Sequence, residues 1–101
     1  MTPVQIELSF EEFSLASDLP EKVLLRMVEE GILEPGGASP DRWRFESTMI
    51  VTARRASRLH RDLGIDWSGI ALALELLEEL ERARLENRLL RQRLGRFIEE
   101  P

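Results

Sequence analysis

Cysteine is absent from this sequence of 101 residues, and histidine occurs only once, as His60. Without cysteine the chain has no disulfide framework, no thiolate nucleophile and no zinc finger. A single histidine argues against a histidine-rich metal site or a Ser-His-Asp triad, and we interpret His60 as a helix-end or surface residue. We therefore predict no metal, no cofactor and no enzymatic activity.

Long hydrophobic runs are also absent. The first ten residues have neither a basic segment nor a long apolar run, so no signal peptide is predicted. No stretch approaches the roughly 20 apolar residues of a membrane span. The composition, 43% hydrophobic and 33% charged, differs from that of a disordered acidic tail. We expect a soluble cytoplasmic protein with one small domain and at most one appended element.

The net charge of −5 is distributed unevenly. Residues 1–41 hold nine acidic and two basic side chains, whereas residues 42–64 hold six arginines and two acidic side chains. An acidic surface repels the phosphate lattice of DNA, so the first segment favours a basic protein partner. The second segment leaves nucleic-acid binding as an alternative, because its arginines could contact phosphates. These arginines are Arg42, Arg44, Arg54, Arg55, Arg58 and Arg61.

The N-terminal segment predicts a short strand followed by a helix. Residues 5–8 alternate between polar and apolar side chains, as a half-buried strand does. Ser9 followed by Glu12 is a capping-box pattern, which predicts a helix start near Phe10. The core candidates of this first helix are Phe10, Phe13 and either Leu15 or Ala16.

A second short helix is predicted after a tight turn. Asp18 and Pro20 suit its start, and Gly31 suits its end because glycine adopts a left-handed conformation at little cost. Two short helices joined in this way form a helix-turn-helix unit of about 22 residues. The apolar face of the second helix consists of Val23, Leu24, Met27 and Val28.

We interpret the next segment as a wing, a loop with a short extended piece at each end, at residues 32–34 and 43–45. In the second piece Trp43 and Phe45 share one face and Arg44 occupies the other, as a strand requires. A small β wing in an otherwise helical domain is therefore expected.

Two further helices complete the predicted chain. Ser47 is expected to cap a third helix, which ends at Gly64. Asp66 is expected to cap a final helix, which runs from Trp67 to about Phe97. The final helix would be about 46 Å long, whereas a compact globule of this chain length has a radius of gyration of about 13 Å. We therefore expect its distal part to extend beyond the domain and to need another surface for its apolar residues.

Apolar residues in the final helix alternate at spacings of four and three, which is typical of a coiled coil. A lone Asn87 at a seam position can fix the register. Glu79 and Glu86 would meet Arg84 and Arg91 of a parallel partner, although such surface pairs contribute only about a few tenths of a kcal/mol. A helix folded back on its own domain is the alternative. The predicted dimerisation seam is Leu76, Leu80, Ala83, Asn87, Leu90, Leu94 and Phe97.

The predicted fold is all-α with a small β wing, divided into a winged helix-turn-helix domain at 1–64 and a long coiled-coil helix at 65–101. This order of elements resembles the MerR superfamily. A sharper resemblance, covering nearly the whole chain, is to the CbpM chaperone modulator family. The motifs that resemble this family are Glu34-Pro35, Trp43-x-Phe45, Arg58-Leu59, the segment 66–74 and the segment 86–97.

The resemblance implies a specific function. CbpM-type proteins bind the J-domain of the DnaJ-like co-chaperone CbpA, and they inhibit both its co-chaperone action on the Hsp70 DnaK and its DNA binding. Because J-domains present a basic helix to DnaK, an acidic surface can bind that helix by complementary charge. We expect a homodimeric inhibitor whose partner-binding residues are Glu11, Glu12, Asp18, Glu21, Glu29, Glu30, Trp43 and Arg44.

A small MerR-like DNA-binding transcription regulator is the alternative function, with the arginines of residues 42–64 on phosphates. DNA-binding MerR regulators place basic and polar side chains on the second helix. Here Lys22 and Arg26 are offset by Glu21, Glu29 and Glu30, so the leading interpretation includes no direct DNA binding. MerR dimers usually pair antiparallel, which leaves the orientation of the helix pair open. The wing and the third helix remain competing contact surfaces for a J-domain.

Overall fold

A computed structural model describes residues 6–99, with side chains described as far as Arg96. Over this range the chain forms four α-helices and one two-stranded antiparallel sheet, which confirms the prediction of a mainly helical protein with a small sheet. No helix in the described range is long and apolar enough to cross a membrane. The elements are β1 (Glu7–Leu8), α1 (Phe10–Ser17), α2 (Glu21–Glu29), β2 (Phe45–Glu46), α3 (Met49–Leu63) and α4 (Trp67–Glu99).

The chain divides into two compact units. The N-terminal unit ends at Ala71, and the C-terminal unit begins at Leu72. The N-terminal unit contains β1, β2 and the first three helices, together with the first turn of α4.

Helix α1 begins where the capping box predicts. The Ser9 hydroxyl accepts the Glu12 backbone N–H at 3.2 Å, and the Ser9 N–H donates to a Glu12 carboxylate oxygen at 2.8 Å. The helix ends at Asp18, which adopts a left-handed conformation with φ 57°. Helix α2 begins three residues later with Pro20 as its N-cap residue. The predicted pair of short helices joined by a tight turn is therefore confirmed.

Aromatic rings form the centre of the N-terminal core. The Phe13 and Phe45 rings are stacked with their centroids 4.5 Å apart. Pairing of Leu8 with Phe45 across the two strands fixes β2 beside the start of α1. Such large apolar side chains dominate the energetics of small cores. The buried apolar residues are Phe13, Leu24, Met27, Leu33, Phe45, Ala53, Ala56 and Ile70.

The expectation that Leu15 or Ala16 packs in the core is wrong. Both are exposed, and the Leu15 residue keeps 78% of its surface accessible. Leu15 lies two positions after Phe13, which is about 200° around an α-helix, so the burial of Phe13 places Leu15 on the opposite face. Ser17, four residues after Phe13, is buried instead.

The wing differs from its predicted form. Residues 32–34 form no strand, and β2 pairs with the N-terminal strand β1. The intervening loop is closed by a single bridge, in which Gly36 and Arg44 exchange backbone hydrogen bonds of 3.0 and 2.9 Å. Of the predicted first strand, residues 5–8, Gln5 lies outside the described residues.

The predicted cap of α3 at Ser47 is also wrong. The N-cap position of α3 is Thr48, whose side chain makes no capping hydrogen bond. The Ser47 backbone is used by both neighbouring elements: its N–H donates to the Ile6 carbonyl at 2.9 Å, and its carbonyl accepts the Ile50 N–H at 3.2 Å. Because Ser47 continues the contacts of the sheet, the helix starts after Thr48.

The junction between α3 and α4 follows the prediction. Gly64 ends α3 in a left-handed conformation with φ 66°. Asp66 caps α4 by accepting the Gly69 N–H at 3.0 Å and the Ser68 hydroxyl at 2.9 Å. These donors lower the pKa of Asp66, and the positive charges of Arg26 and His60 act in the same direction.

Candidate partner-binding surface

Three predicted partner-binding carboxylates lie close together in sequence around the turn between α1 and α2. Glu11 lies in the first turn of α1, Asp18 ends that helix, and Glu21 opens α2. All three are exposed. Within the described part of the chain their carboxylates make no hydrogen bond or ion pair. They therefore keep their full capacity for a cationic partner.

Glu11 and Glu21 face one open depression of about 390 Å³, which also includes Asp41. Asp41 belongs to the single 3₁₀ turn before β2, far from the other two in sequence. No local pattern could have identified Asp41 as a neighbour, because the loop that carries it is positioned by the Gly36–Arg44 bridge. The remaining lining residues of this depression are Ser9, Phe10 and Pro40.

Glu29 and Glu30 have a different environment. The Arg26 guanidinium donates to Glu29 at 2.6 Å and to Glu30 at 3.3 Å. The Glu29 carboxylate in particular raises the pKa of Arg26, which stays positively charged. This internal pairing partly neutralises the end of α2, so these two carboxylates offer less net charge to a partner than Glu11 and Glu21 do.

Glu12 is also partly committed to its own helix. Its hydrogen bonds with Ser9 lower the pKa of the Glu12 carboxyl, and the nearby positive charge of Arg44 acts in the same direction. The carboxylate is therefore ionised and held in place at the exposed start of α1. Its position is fixed, but part of its hydrogen-bonding capacity is used.

Trp43 and Arg44 lie beside the sheet. The Trp43 ring is half-buried and meets the Phe10 ring edge-on at 5.2 Å and the Phe45 ring at 6.0 Å. Arg44 is exposed and donates to the Trp43 carbonyl oxygen at 3.3 Å. Trp43 thus covers the aromatic core, and Arg44 is the residue of this pair whose side chain faces solvent.

A basic surface lies on α3. Arg54, Arg58 and Arg61 line a depression of about 190 Å³ together with Leu19 and Ser57. Arg54 donates to the carbonyl oxygens of Ser17 at 3.4 Å and Ala16 at 3.3 Å. These carbonyls end α1, where a helix accumulates partial negative charge. Arg54 therefore joins α3 to α1, and part of its donor capacity is not available to phosphates.

The predicted seam lies on the C-terminal unit, whose residues 72–99 form part of α4. Its leucines are each at least 44% exposed, and Ala83 and Asn87 are exposed as well. The side chain of Phe97 lies outside the described residues. The exposed leucines of the seam are Leu76, Leu80, Leu90 and Leu94.

Comparisons with known proteins agree with this organisation. Residues 8–92 match the sequence profile of the MerR HTH family regulatory proteins. The chain is 43% identical over 94 residues, 93% of each chain, to the chaperone modulatory protein CbpM of Pseudomonas entomophila strain L48. It is 42% identical over 101 residues, the full length of both chains, to that of Citrobacter koseri. The corresponding protein of Escherichia coli O1:K1 is 38% identical over the same span.

We call the exposed carboxylates Glu11, Asp18, Glu21 and Asp41 the acidic surface. The similarities cover this surface, the sheet, the basic surface of α3 and most of α4. The names of the relatives describe modulators of a chaperone, and neither these names nor the family profile describes an enzyme. The chain therefore belongs to the CbpM family of chaperone modulatory proteins, within the MerR-type helix-turn-helix proteins.

Proposed function

We propose that this protein binds the J-domain of a CbpA-type, DnaJ-like co-chaperone and inhibits both its co-chaperone activity and its DNA binding. Family membership supports the modulator role, and the acidic surface supports the choice of partner. The observation that carries the proposal is the grouping of Glu11, Glu21 and Asp41 around one open depression. A basic helix of a J-domain would be attracted to these carboxylates and would exchange hydration for ion pairs there.

All eight residues that the sequence predicts for partner binding are included in the proposed contact, but their roles are unequal. Glu11, Asp18 and Glu21 provide the strongest attraction because their carboxylates have no hydrogen-bonding or ionic partner among residues 6–96. Glu12, Glu29 and Glu30 contribute charge that Ser9 and Arg26 already hold in place. Trp43 and Arg44 would border the contact at the sheet.

We also propose that the protein is a homodimer. In this assignment residues 1–64 form the winged helix-turn-helix domain and residues 65–101 form the dimerisation helix. The argument is physical, because an alternating seam of leucines that is exposed in one chain is covered when two such helices pair. A dimer would present two acidic surfaces, one for each J-domain.

DNA binding remains the second candidate because three arginines surround the depression on α3. Two features weigh against it. Arg26 on α2 is paired with two glutamates, and Arg54 is bonded to the end of α1. A protein that binds DNA through phosphates needs such cations free to displace counterions.

The proposal is tested by titrating the full-length protein with an isolated J-domain of a CbpA-type co-chaperone, using calorimetry at several salt concentrations. We expect binding that weakens as salt increases. The double substitution Glu11→Gln and Glu21→Gln should weaken the affinity about three- to tenfold and reduce its salt dependence, since each exposed charge contributes about 0.2–1 kcal/mol.

The matched control is Glu75→Gln with Glu78→Gln, which removes the same charge from exposed positions of α4 outside the seam. This control should bind like the unmodified protein. If both double variants bind the J-domain with equal affinity, the contact does not lie at the acidic depression. No measurable J-domain binding, together with salt-sensitive retention on duplex DNA, would favour the DNA-binding alternative.

A further inference from the structure

Leu15 is the most exposed large apolar residue in the described range, with 78% of its surface accessible. It lies at the middle of the solvent-facing side of α1, which buries Phe13 and Ser17 on its other side. The packing of the N-terminal unit therefore gives no reason for a leucine at this position. An isolated exposed leucine is common on protein surfaces, so the surroundings of Leu15 decide whether it has a role.

Carboxylates lie near Leu15 on α1 and at its C-terminal end. Glu11 lies four residues before it and Glu12 three residues before it on α1, and residues at these spacings are neighbours on a helix. Asp18, which ends α1 in a left-handed conformation, lines the same depression as Leu15. All three acidic residues are exposed. An apolar side chain that is flanked by negative charges is better suited to contact a basic surface with an apolar centre than another acidic surface.

Leu15 also borders a concave surface. Together with Leu19 and Pro20 it lines an open depression of about 280 Å³, to which Ser14 and Asp18 contribute polar groups. The apolar part of this depression follows the turn between α1 and α2. The depression can therefore accept a side chain of the partner next to Leu15.

This surface is held rigidly. The capping box fixes the start of α1, and at its end the Ser14 hydroxyl donates to the Leu19 carbonyl at 2.6 Å while the Leu19 N–H donates to the Ser14 carbonyl at 3.2 Å. A preorganised surface loses little conformational entropy on binding, which favours affinity.

We propose that Leu15 is the apolar anchor of a docking surface for a basic amphipathic helix, which inserts an apolar side chain between Leu15 and Pro20 and places its cations on Glu11, Glu12 and Asp18. The assignment rests on the proposed J-domain partner and names the residue that would contribute most to its affinity. Exclusion of water by the leucine would also strengthen the surrounding ion pairs, because charges interact more strongly at lower dielectric.

The test compares Leu15→Ala with Val51→Ala, a truncation at a residue of α3 with a similar exposed fraction, 72%. Both variants should fold normally, since alanine favours helix and neither position is buried. In calorimetry with the isolated J-domain, Leu15→Ala should weaken the affinity about 10- to 30-fold, as central apolar anchors do. Val51→Ala should leave the affinity unchanged.

Salt dependence separates the anchor from its carboxylates. Leu15→Ala should lower the affinity at every salt concentration by a similar factor, whereas Glu11→Gln should mainly reduce the salt dependence. If the unmodified protein binds the J-domain and Leu15→Ala binds equally well, the anchor assignment is wrong while the proposed function stands. If the unmodified protein does not bind the J-domain, the proposed function is wrong, and this assignment falls with it.

Discussion

The two compact units differ in the burial of their large apolar side chains. In the N-terminal unit the large apolar residues Phe13, Leu24, Phe45 and Ile70 are fully buried. In the C-terminal unit all the leucines of the predicted seam are exposed. The first unit closes its hydrophobic core within one chain, and the second presents a hydrophobic stripe that one chain leaves uncovered.

The difference follows from the sequence pattern. Apolar residues of the first unit come from helices, strands and loops that are distant in sequence, so their side chains meet around a common centre. Residues 72–99 belong to one helix, and a single helix cannot enclose its own side chains. A stripe of this kind stabilises a protein only when another surface covers it.

The largest expected effect comes from breaking the closed core. Phe45→Ala removes a fully buried ring that stacks on Phe13 at 4.5 Å. Such truncations cost about 3–5 kcal/mol in the free energy of unfolding because they remove apolar contacts and leave a cavity. Urea unfolding followed by circular dichroism measures this change. Leu63→Ala, at an exposed position of the same unit, should change the free energy by about 0.5 kcal/mol or less; equal effects of the two would refute the contrast between buried and exposed residues.

A change in the seam tests whether the stripe is covered in solution. If two chains pair there, Leu90→Ala should destabilise the assembly by about 2 kcal/mol or more and shift the protein toward monomer. Leu85→Ala is the control, since Leu85 lies outside the predicted seam and is exposed to a similar degree. Sedimentation velocity over a range of concentrations reports the change in association. A monomeric unmodified protein, with both variants equally stable, would show that no second copy covers the stripe.

The smallest effect is expected at the start of α4, where the N-terminal unit ends. Because hydrogen bonds lower the pKa of Asp66 from its ordinary value of 3.8, the ionised carboxylate stabilises the folded state. This contribution is fully present above about pH 4 and is lost as the pH falls through the lowered pKa. Asp66→Ala should therefore reduce the urea midpoint slightly at pH 7. The two proteins should converge in strong acid, and a difference that persists there would mean that Asp66 acts through something other than its charge.

Local patterns predicted much of the fold. The capping box at Ser9, the glycine at the end of α3 and the cap at Asp66 depend on neighbouring residues, and the structure contains each of them. Features that depend on distant residues were not predictable in the same way. The pairing of β2 with β1 brings the Ser47 N–H into a hydrogen bond with the Ile6 carbonyl, and α3 therefore starts at Met49, with Thr48 as its N-cap residue.

The candidate site was predicted in a similarly partial way. Charge counting located the acids around the turn between α1 and α2, but it could not show that Glu29 and Glu30 share Arg26 or that Asp41 joins Glu11 and Glu21. The exposure of Leu15 was available from helical geometry, since Phe13 determines the buried face.

The sequence contains only two tryptophans, and they report on different places. Trp43 covers the aromatic cluster beside the sheet, and the Trp67 ring is stacked against His60 with the centroids 3.9 Å apart and the planes nearly parallel. The two indole rings therefore have different surroundings, one among phenylalanine rings and the other against an imidazole ring. Replacing either tryptophan by phenylalanine leaves a single fluorophore, so that loosening of the aromatic cluster and opening of the α3–α4 corner can be followed separately in real time without an attached dye.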